Sequence, residues 1–131
     1  MTKEKQDILE DFYSGNAKKI RVTIYDDSGN LKDLTDAELT YALFTRETNE
    51  LILRKSSHKG EHEIRVVGPG LCEIYYIGAD TVHIHGTFRH HLNVVDADGK
   101  EATAFTGLVR IHRTPAGRYR EVGGQAYTEG K

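Results

Sequence analysis

The chain has 131 residues, a formal net charge of -2 and a single cysteine. This length predicts one domain that buries its own core, and the lone cysteine excludes a framework of internal disulfides. The sequence has neither an apolar run approaching the roughly 20 residues of a membrane helix nor a signal peptide, and its charge is far from that of typical nucleic-acid-binding domains. We therefore expect a protein made in the cytoplasm, without membrane contact and with nucleic acid disfavoured as a partner.

The first element is predicted over residues 3–13, as a short helix or arm. Ile8, Leu9 and Phe12 fall on one helical face, with charged residues around them, and Ser14-Gly15-Asn16 ends the segment. So short a helix is unstable alone, so we expect it to dock on its own domain or on a neighbouring subunit. Ile8, Leu9 and Phe12 are therefore candidate partner-binding residues.

The middle of the chain alternates between apolar and polar residues, which is typical of strands with one buried face. Turn signals rich in Asp, Gly and Pro separate the apolar runs. The pattern predicts an all-β, immunoglobulin-like antiparallel β-sandwich of about seven strands over residues 14–113, with a five- or six-stranded barrel as the alternative. The predicted strands cover residues 18–26, 39–44, 51–55, 62–67, 71–77, 87–96 and 102–112.

Beyond Thr114 the alternation stops, and glycine and polar residues dominate. This composition predicts a flexible C-terminal tail or arm over residues 114–131, which gains order on a partner. Tyr119 and Tyr127 have no local core to enter, and tyrosine is enriched at interface hot spots. They complete the set of candidate partner-binding residues.

The histidines are the first candidates for a metal site, since the chain has seven of them. His83 and His85 share a face if their segment is extended, and His90 and His91 follow nearby. Zinc needs a full tetrahedral ligand set, and the sequence has no second thiol and no HExxH spacing. We interpret these residues as loop and sheet histidines, with His90 partly buried, and predict no metal site and no cofactor.

Two aspartate-rich segments resemble fragments of calcium loops, Asp26-Asp27-Ser28-Gly29 and Asp96-Ala97-Asp98-Gly99. A twelve-residue calcium loop needs further oxygen ligands and a glutamate in register, and Glu101 comes too early. Both segments are better explained as hairpin turns, in which aspartate accepts local backbone hydrogen bonds and glycine supplies a positive φ.

No catalytic constellation is evident. Cys72 lies within an apolar strand pattern, where a free cysteine is usually a small buried hydrophobe. The sequence contains no GxSxG elbow and no phosphate-binding glycine loop. We therefore expect a protein that is not an enzyme and that has no catalytic residues.

One further pattern spans residues 14–112. Ser14-Gly15-Asn16 precedes a strand, Asp27-Ser28-Gly29 turns it, and Asp33-Leu34-Thr35-Asp36-Ala37 leads into the next. Later matching positions are Asp80, Gly86, Phe88, Leu92, Val94, Asp96 and Gly99. The pattern resembles the immunoglobulin-like N-terminal domain of the phage baseplate upper protein, although no long fibre segment follows here. The Gly86-x-Phe88 corner also resembles the tyrosine corner of immunoglobulin-like folds, without its hydroxyl.

The resemblance implies a bacteriophage virion structural protein, synthesised in the host cytoplasm and located in the virion. We expect an adaptor of the tail or baseplate that binds other virion proteins through sheet edges and terminal arms, and that forms a homo-oligomer in the assembled particle. The alternatives are a capsid decoration or neck protein and, from another class, a carbohydrate- or surface-binding module.

Overall fold

A computed structural model describes residues 7–59 and 63–113. Its elements are β1 (Asp7–Tyr13), β2 (Lys18–Thr23), β3 (Glu38–Thr45), β4 (Leu51–Ser56), β5 (Ile64–Gly68), β6 (Leu71–Tyr76), α1 (Gly78–Thr81), β7 (Gly86–Val95) and β8 (Glu101–His112). A 3-10 turn, Ser57–Lys59, follows β4. No helix within these residues is long and apolar enough to cross a membrane.

The strands form two sheets. One has five strands in the order β1-β8-β7-β3-β4, and the other has three in the order β2-β6-β5. Successive strands alternate between the sheets in pairs, β3 and β4, then β5 and β6, then β7 and β8, which is the connectivity of an immunoglobulin-like sandwich. The predicted fold class is confirmed, and all seven predicted strands are present. One pairing departs from the antiparallel rule, because β1 runs parallel to β8.

The core lies between the sheets and follows the alternation of the sequence. On β7 the buried residues are Phe88, His90, Leu92 and Val94, which are every second residue of the strand. Ile20 and Val22 of β2 and Leu39, Tyr41 and Leu43 of β3 are buried in the same way. Side chains of a strand point alternately to opposite faces, so one apolar row per strand suffices to fill a two-layer core.

The N-terminal segment differs from its prediction. The sequence predicts a short helix or arm over residues 3–13. The helix is wrong for the described residues 7–13, which form β1 and pair in register from Asp7↔Thr106 to Tyr13↔His112. Phe12 is buried in the core, where its ring meets Tyr76 edge to face at 5.1 Å. The open edge of β8 and this apolar contact outweigh the weak intrinsic stability of a short helix. The sandwich therefore begins before residue 14.

Candidate protein-binding surfaces

Three polar rings meet inside the core. The Tyr41 hydroxyl lies 2.6 Å from the Tyr76 hydroxyl and 2.8 Å from Nδ1 of His90. Tyr41 and His90 belong to the five-stranded sheet and Tyr76 to the three-stranded one, so the chain of hydrogen bonds joins the two sheets. Burial raises the pKa of both tyrosines. In the interior, each of these polar groups has a hydrogen-bond partner in this network, and the geometry is that of a structural network.

The single thiol is equally enclosed. Cys72 is fully buried, and burial, helped by the neighbouring charge of Glu73, raises the pKa of its thiol to about 12. Because the thiolate is the nucleophilic form of cysteine, the thiol is unreactive at neutral pH in this setting.

The histidines do not converge. His83 follows α1 in a turn and is exposed, so the extended geometry that would align it with His85 does not form. The His85 Nε2 atom lies 2.7 Å from Nη2 of Arg113. His90 points into the core, whereas His91 points to the outer face of the five-stranded sheet. Within residues 7–59 and 63–113, no three His, Cys, Asp or Glu side chains are grouped to hold a metal ion.

The two aspartate-rich segments are hairpin turns, as predicted, and they have the same geometry. Oδ1 of Asp26 accepts hydrogen bonds from the amides of Ser28 and Asn30 at 2.9 and 3.0 Å. In the second turn, Oδ1 of Asp96 accepts from the amides two and four residues further on, both at 3.0 Å. Gly29 and Gly99 each have a φ of 88°, which glycine adopts without strain.

These two turns lie at the same end of the sandwich and enclose an open cleft of about 530 Å³. Lys32 of the first turn region reaches Oδ2 of Asp96 in the second, at 3.6 Å. The cleft walls include Ile24, Tyr25 and Ala102. The side chains present no grouping of nucleophile, base or metal ligands that would assign a reaction to it.

The outermost strands of the described residues are β1 and β4 in the five-stranded sheet and β2 and β5 in the three-stranded sheet. β4 carries the buried Lys55, whose Nζ lies 2.7 Å from Oδ2 of Asp80, and β5 is interrupted by a register shift after Val66. Inward charges and bulges are devices that protect sheet edges from pairing. β2 has no such interruption, because it pairs with β6 continuously from Lys18 to Thr23. Its charges are Lys19 and Arg21 on the outer face and Lys18 in the inward row, where it reaches Glu10 at 3.3 Å.

The outer face of the three-stranded sheet carries an internal ion network. Glu73 of β6 lies in register with Arg21 of β2 and Arg65 of β5, and its Oε2 is 2.7 Å from Nη2 of Arg21 and 3.7 Å from Nζ of Lys19. The Tyr75 hydroxyl donates to Oε1 of Glu73. The hydrogen bonds from Tyr75 and Arg21 lower the pKa of Glu73 to about 2.

Among the described residues, the outer face of the five-stranded sheet has no such network around its arginines. Three exposed arginines project from it, Arg54 on β4, Arg89 on β7 and Arg110 on β8. Between them, the rings of Phe44 and His91 pack at 5.1 Å. We call this surface the arginine face; its residues are Ala42, Phe44, Arg54, Arg89, His91, Leu108 and Arg110.

The five candidate partner-binding residues have different positions. The backbones of Ile8 and Leu9 pair with Gly107 and Leu108 of β8. Phe12 is a core residue rather than an exposed contact. Tyr119 and Tyr127 lie outside the described residues.

Sequence reasoning missed the arginine face and the burial of Glu73 and Lys55. A signal for the former was present, because Arg89, His91 and Arg110 occupy outward positions in well-alternating strands. The neighbours of Glu73 come from two other strands, and no local pattern reveals them.

No family model and no curated protein matches the sequence. Among solved structures, the chain is similar to CopC from Methylosinus trichosporium OB3b, with a TM-score of 0.46 and 9% sequence identity. The match covers 90% of this chain and 89% of that one. A likeness this distant carries no functional residue over to this chain, and the resemblance to the phage baseplate domain stays a hypothesis.

Proposed function

We propose that the protein is a non-enzymatic structural protein of a bacteriophage virion, an adaptor in the tail or baseplate that joins other virion proteins. The observation that carries the proposal is the open and uninterrupted edge of β2 on a small sandwich. An open strand edge offers unpaired backbone donors and acceptors to a strand of another chain. The resemblance of residues 14–112 to the baseplate domain supplies the virion context.

The geometry of β2 identifies the backbone groups involved. The amide of Ile24 donates to the carbonyl of Gly70 at 2.6 Å, towards the β6 side. Backbone groups alternate in direction along a strand. The amides of Thr23 and Arg21 therefore face the open edge, where an added strand would accept hydrogen bonds from them.

The function is tested on virions. Particles carrying a tagged copy of the gene are purified, and the protein is quantified and located by immunogold labelling. Label on the tail or baseplate supports the adaptor, whereas label on the head or the head–tail junction favours the decoration or neck alternative. Absence of the protein from purified particles would overturn the virion assignment.

The edge is tested with a matched pair of variants. Thr23→Pro removes the amide at the end of β2, and Thr23→Ala retains it while removing the hydroxyl. We expect Thr23→Pro to reduce incorporation into particles and Thr23→Ala to leave it unchanged, with circular dichroism confirming that both fold. Equal incorporation of the two variants would exclude strand addition at this edge.

A further inference from the structure

The three arginines of the arginine face are unpaired within the described residues. None of them forms an ion pair or a side-chain hydrogen bond there. Arg110 lies in register with Asp11, but the carboxylate of Asp11 contacts His112 instead. Other basic side chains of the protein, such as Arg21, Lys32 and Lys55, have carboxylate partners. The three arginines are therefore available to a group outside the described residues, and unlike the exposed Arg46 and Lys100, which also lack an ion pair, they share one face of the sheet.

The register brings positive charge together. Arg89 pairs across strands with Leu108, two residues before Arg110, so the two arginines are diagonal neighbours on one face. Such neighbours lie roughly 7–8 Å apart, within reach of long side chains. Arg54 lies opposite Ala42, which in turn lies opposite His91. Like charges placed this closely repel one another, and a carboxylate-bearing partner would remove that repulsion.

The surface between the arginines is apolar and aromatic. Phe44 packs on His91, Leu108 lies beside Arg89, and Ala42 is buried at the centre. Arginine combined with aromatic and aliphatic contact area is characteristic of energetic hot spots in protein–protein interfaces. Guanidinium groups also bind carboxylates through two parallel hydrogen bonds, which adds orientation to attraction.

We propose that the arginine face is a docking surface for an acidic protein partner, in which carboxylates flank apolar side chains. A protein fits better than a nucleic acid, since the chain carries a net charge of -2 and the carboxylates Asp26, Asp27 and Asp96 gather at one end. The bases of a single-stranded nucleic acid would also need a free aromatic ring to stack on, and Phe44 is already packed on His91. The inference deepens the proposed function by stating the chemistry of a partner, and it rests on that function.

The test uses the full-length protein and a synthetic acidic peptide in which glutamates alternate with leucine or threonine. Binding is measured by fluorescence anisotropy at low and high salt, alongside a DNA duplex as the competing probe. The test variant is Arg89→Glu/Arg110→Glu. The control, Lys59→Glu/Lys100→Glu, changes the net charge equally at two turns that belong neither to the arginine face nor to β2. Circular dichroism verifies that each variant folds.

We expect the peptide to bind the unmodified protein at low salt, and salt to weaken it. The arginine double variant should weaken binding roughly tenfold or more, and the lysine control only slightly. Equal weakening by both variants would show a nonspecific charge effect and overturn the proposal, as would absence of binding or tighter binding of the DNA duplex.

Virion incorporation separates this inference from the function on which it rests. Normal incorporation of Arg89→Glu/Arg110→Glu, combined with poor incorporation of Thr23→Pro, would reject the arginine face and leave the adaptor function standing. Loss of incorporation in the arginine variant, with a folded protein and an intact lysine control, would support both.

Discussion

On the outer face of the three-stranded sheet, Glu73 lies in register between Arg21 and Arg65 and binds Arg21. On the five-stranded sheet, Arg54, Arg89 and Arg110 have no carboxylate partner among the described residues, because Asp11, in register with Arg110, contacts His112 instead. In the first arrangement the charged side chains pair with one another within the domain, so removing one of them should change the free energy of unfolding. The second leaves its charges exposed, so removing them should change binding and leave stability almost untouched. Charged residues on two faces of one fold can thus be assigned to different tasks.

The largest effect is expected where the two sheets are joined. Tyr41→Phe removes the hydroxyl that bonds both the Tyr76 hydroxyl and Nδ1 of His90. Removing a buried partner costs roughly 1–3 kcal/mol in the free energy of unfolding, because the remaining polar groups lose a hydrogen bond that water does not replace. Tyr25→Phe, at a site 42% exposed, is the control and should change stability by less than about 0.5 kcal/mol.

Urea unfolding at neutral pH measures both variants. If Tyr41→Phe and the unmodified protein had the same free energy of unfolding, the hydroxyl network would not help to hold the two sheets together. The stability of each sheet would then have to be explained without this link.

The next effect concerns Glu73, and pH reveals it. The pKa of Glu73 is about 2 in the folded protein, below its ordinary value of 4.5. The contribution of its ionised form is therefore complete above pH 4.5 and is lost as pH falls from 4.5 towards 2. We expect Glu73→Gln to lower the melting temperature at neutral pH and to flatten the loss of stability across this window.

The readout is the melting temperature between neutral pH and the acid limb, with Glu101→Gln as a matched control at an exposed carboxylate. If Glu73→Gln and the unmodified protein lost stability in parallel below pH 4.5, the ionised carboxylate of Glu73 would contribute nothing to the free energy of unfolding.

Much of this comparison could be predicted from the sequence, and part of it could not. Local alternation identified seven strands and placed His90 and Leu92 on the inward face of β7, and aspartate with glycine identified both hairpin turns. β1 was missed because Ile8, Leu9 and Phe12 fit a helical face, and its partner β8 lies about a hundred residues away. His90 was expected to be only partly buried, since its hydrogen-bond partner Tyr41 comes from a different strand.

Val66 shows the same limit on the three-stranded sheet. Ile64 and Val66 alternate with polar or exposed positions in the sequence of β5, which predicts one shared face, yet Ile64 is 1% exposed and Val66 41%. Val66 is in register with the buried Cys72, and the register shifts directly after it, so Val66 is the last residue of β5 in the regular ladder. Bulges depend on pairing partners, so an alternating pattern alone does not predict where the inward row ends.

A smaller effect is expected from neutralising the arginine face. Arg89→Gln/Arg110→Gln should leave the free energy of unfolding within about 0.5 kcal/mol, or raise it slightly, because like-charge repulsion is relieved and no ion pair is lost. Arg21→Gln, on the other sheet, should lower stability because it removes a hydrogen-bonded partner of Glu73. Urea unfolding measures both variants. If both lost the same free energy of unfolding, the arginines of the two faces would not differ in their contribution to stability.

The smallest effect concerns His91 at the centre of the arginine face. Burial lowers its pKa below the ordinary value of 6.5. Its described neighbours are Arg89 and Asn93 on its own strand, Ala42 and Phe44 on β3, and Thr106 on β8. None of these residues carries a carboxylate that would offset the burial. The unfolded chain therefore binds the proton more readily, and stability should decline slightly as pH falls below 6.5 until the lower folded pKa is reached.

His91→Gln should remove this decline while preserving polarity and approximate size. Proton titration by NMR supplies the pKa directly, and unfolding measured between pH 7 and pH 5 supplies the slope. A pKa at or above 6.5 would mean that a carboxylate outside the described residues approaches the ring. In that case the arginine face would already have an acidic neighbour within its own chain, and its charges would resemble those of the three-stranded sheet after all.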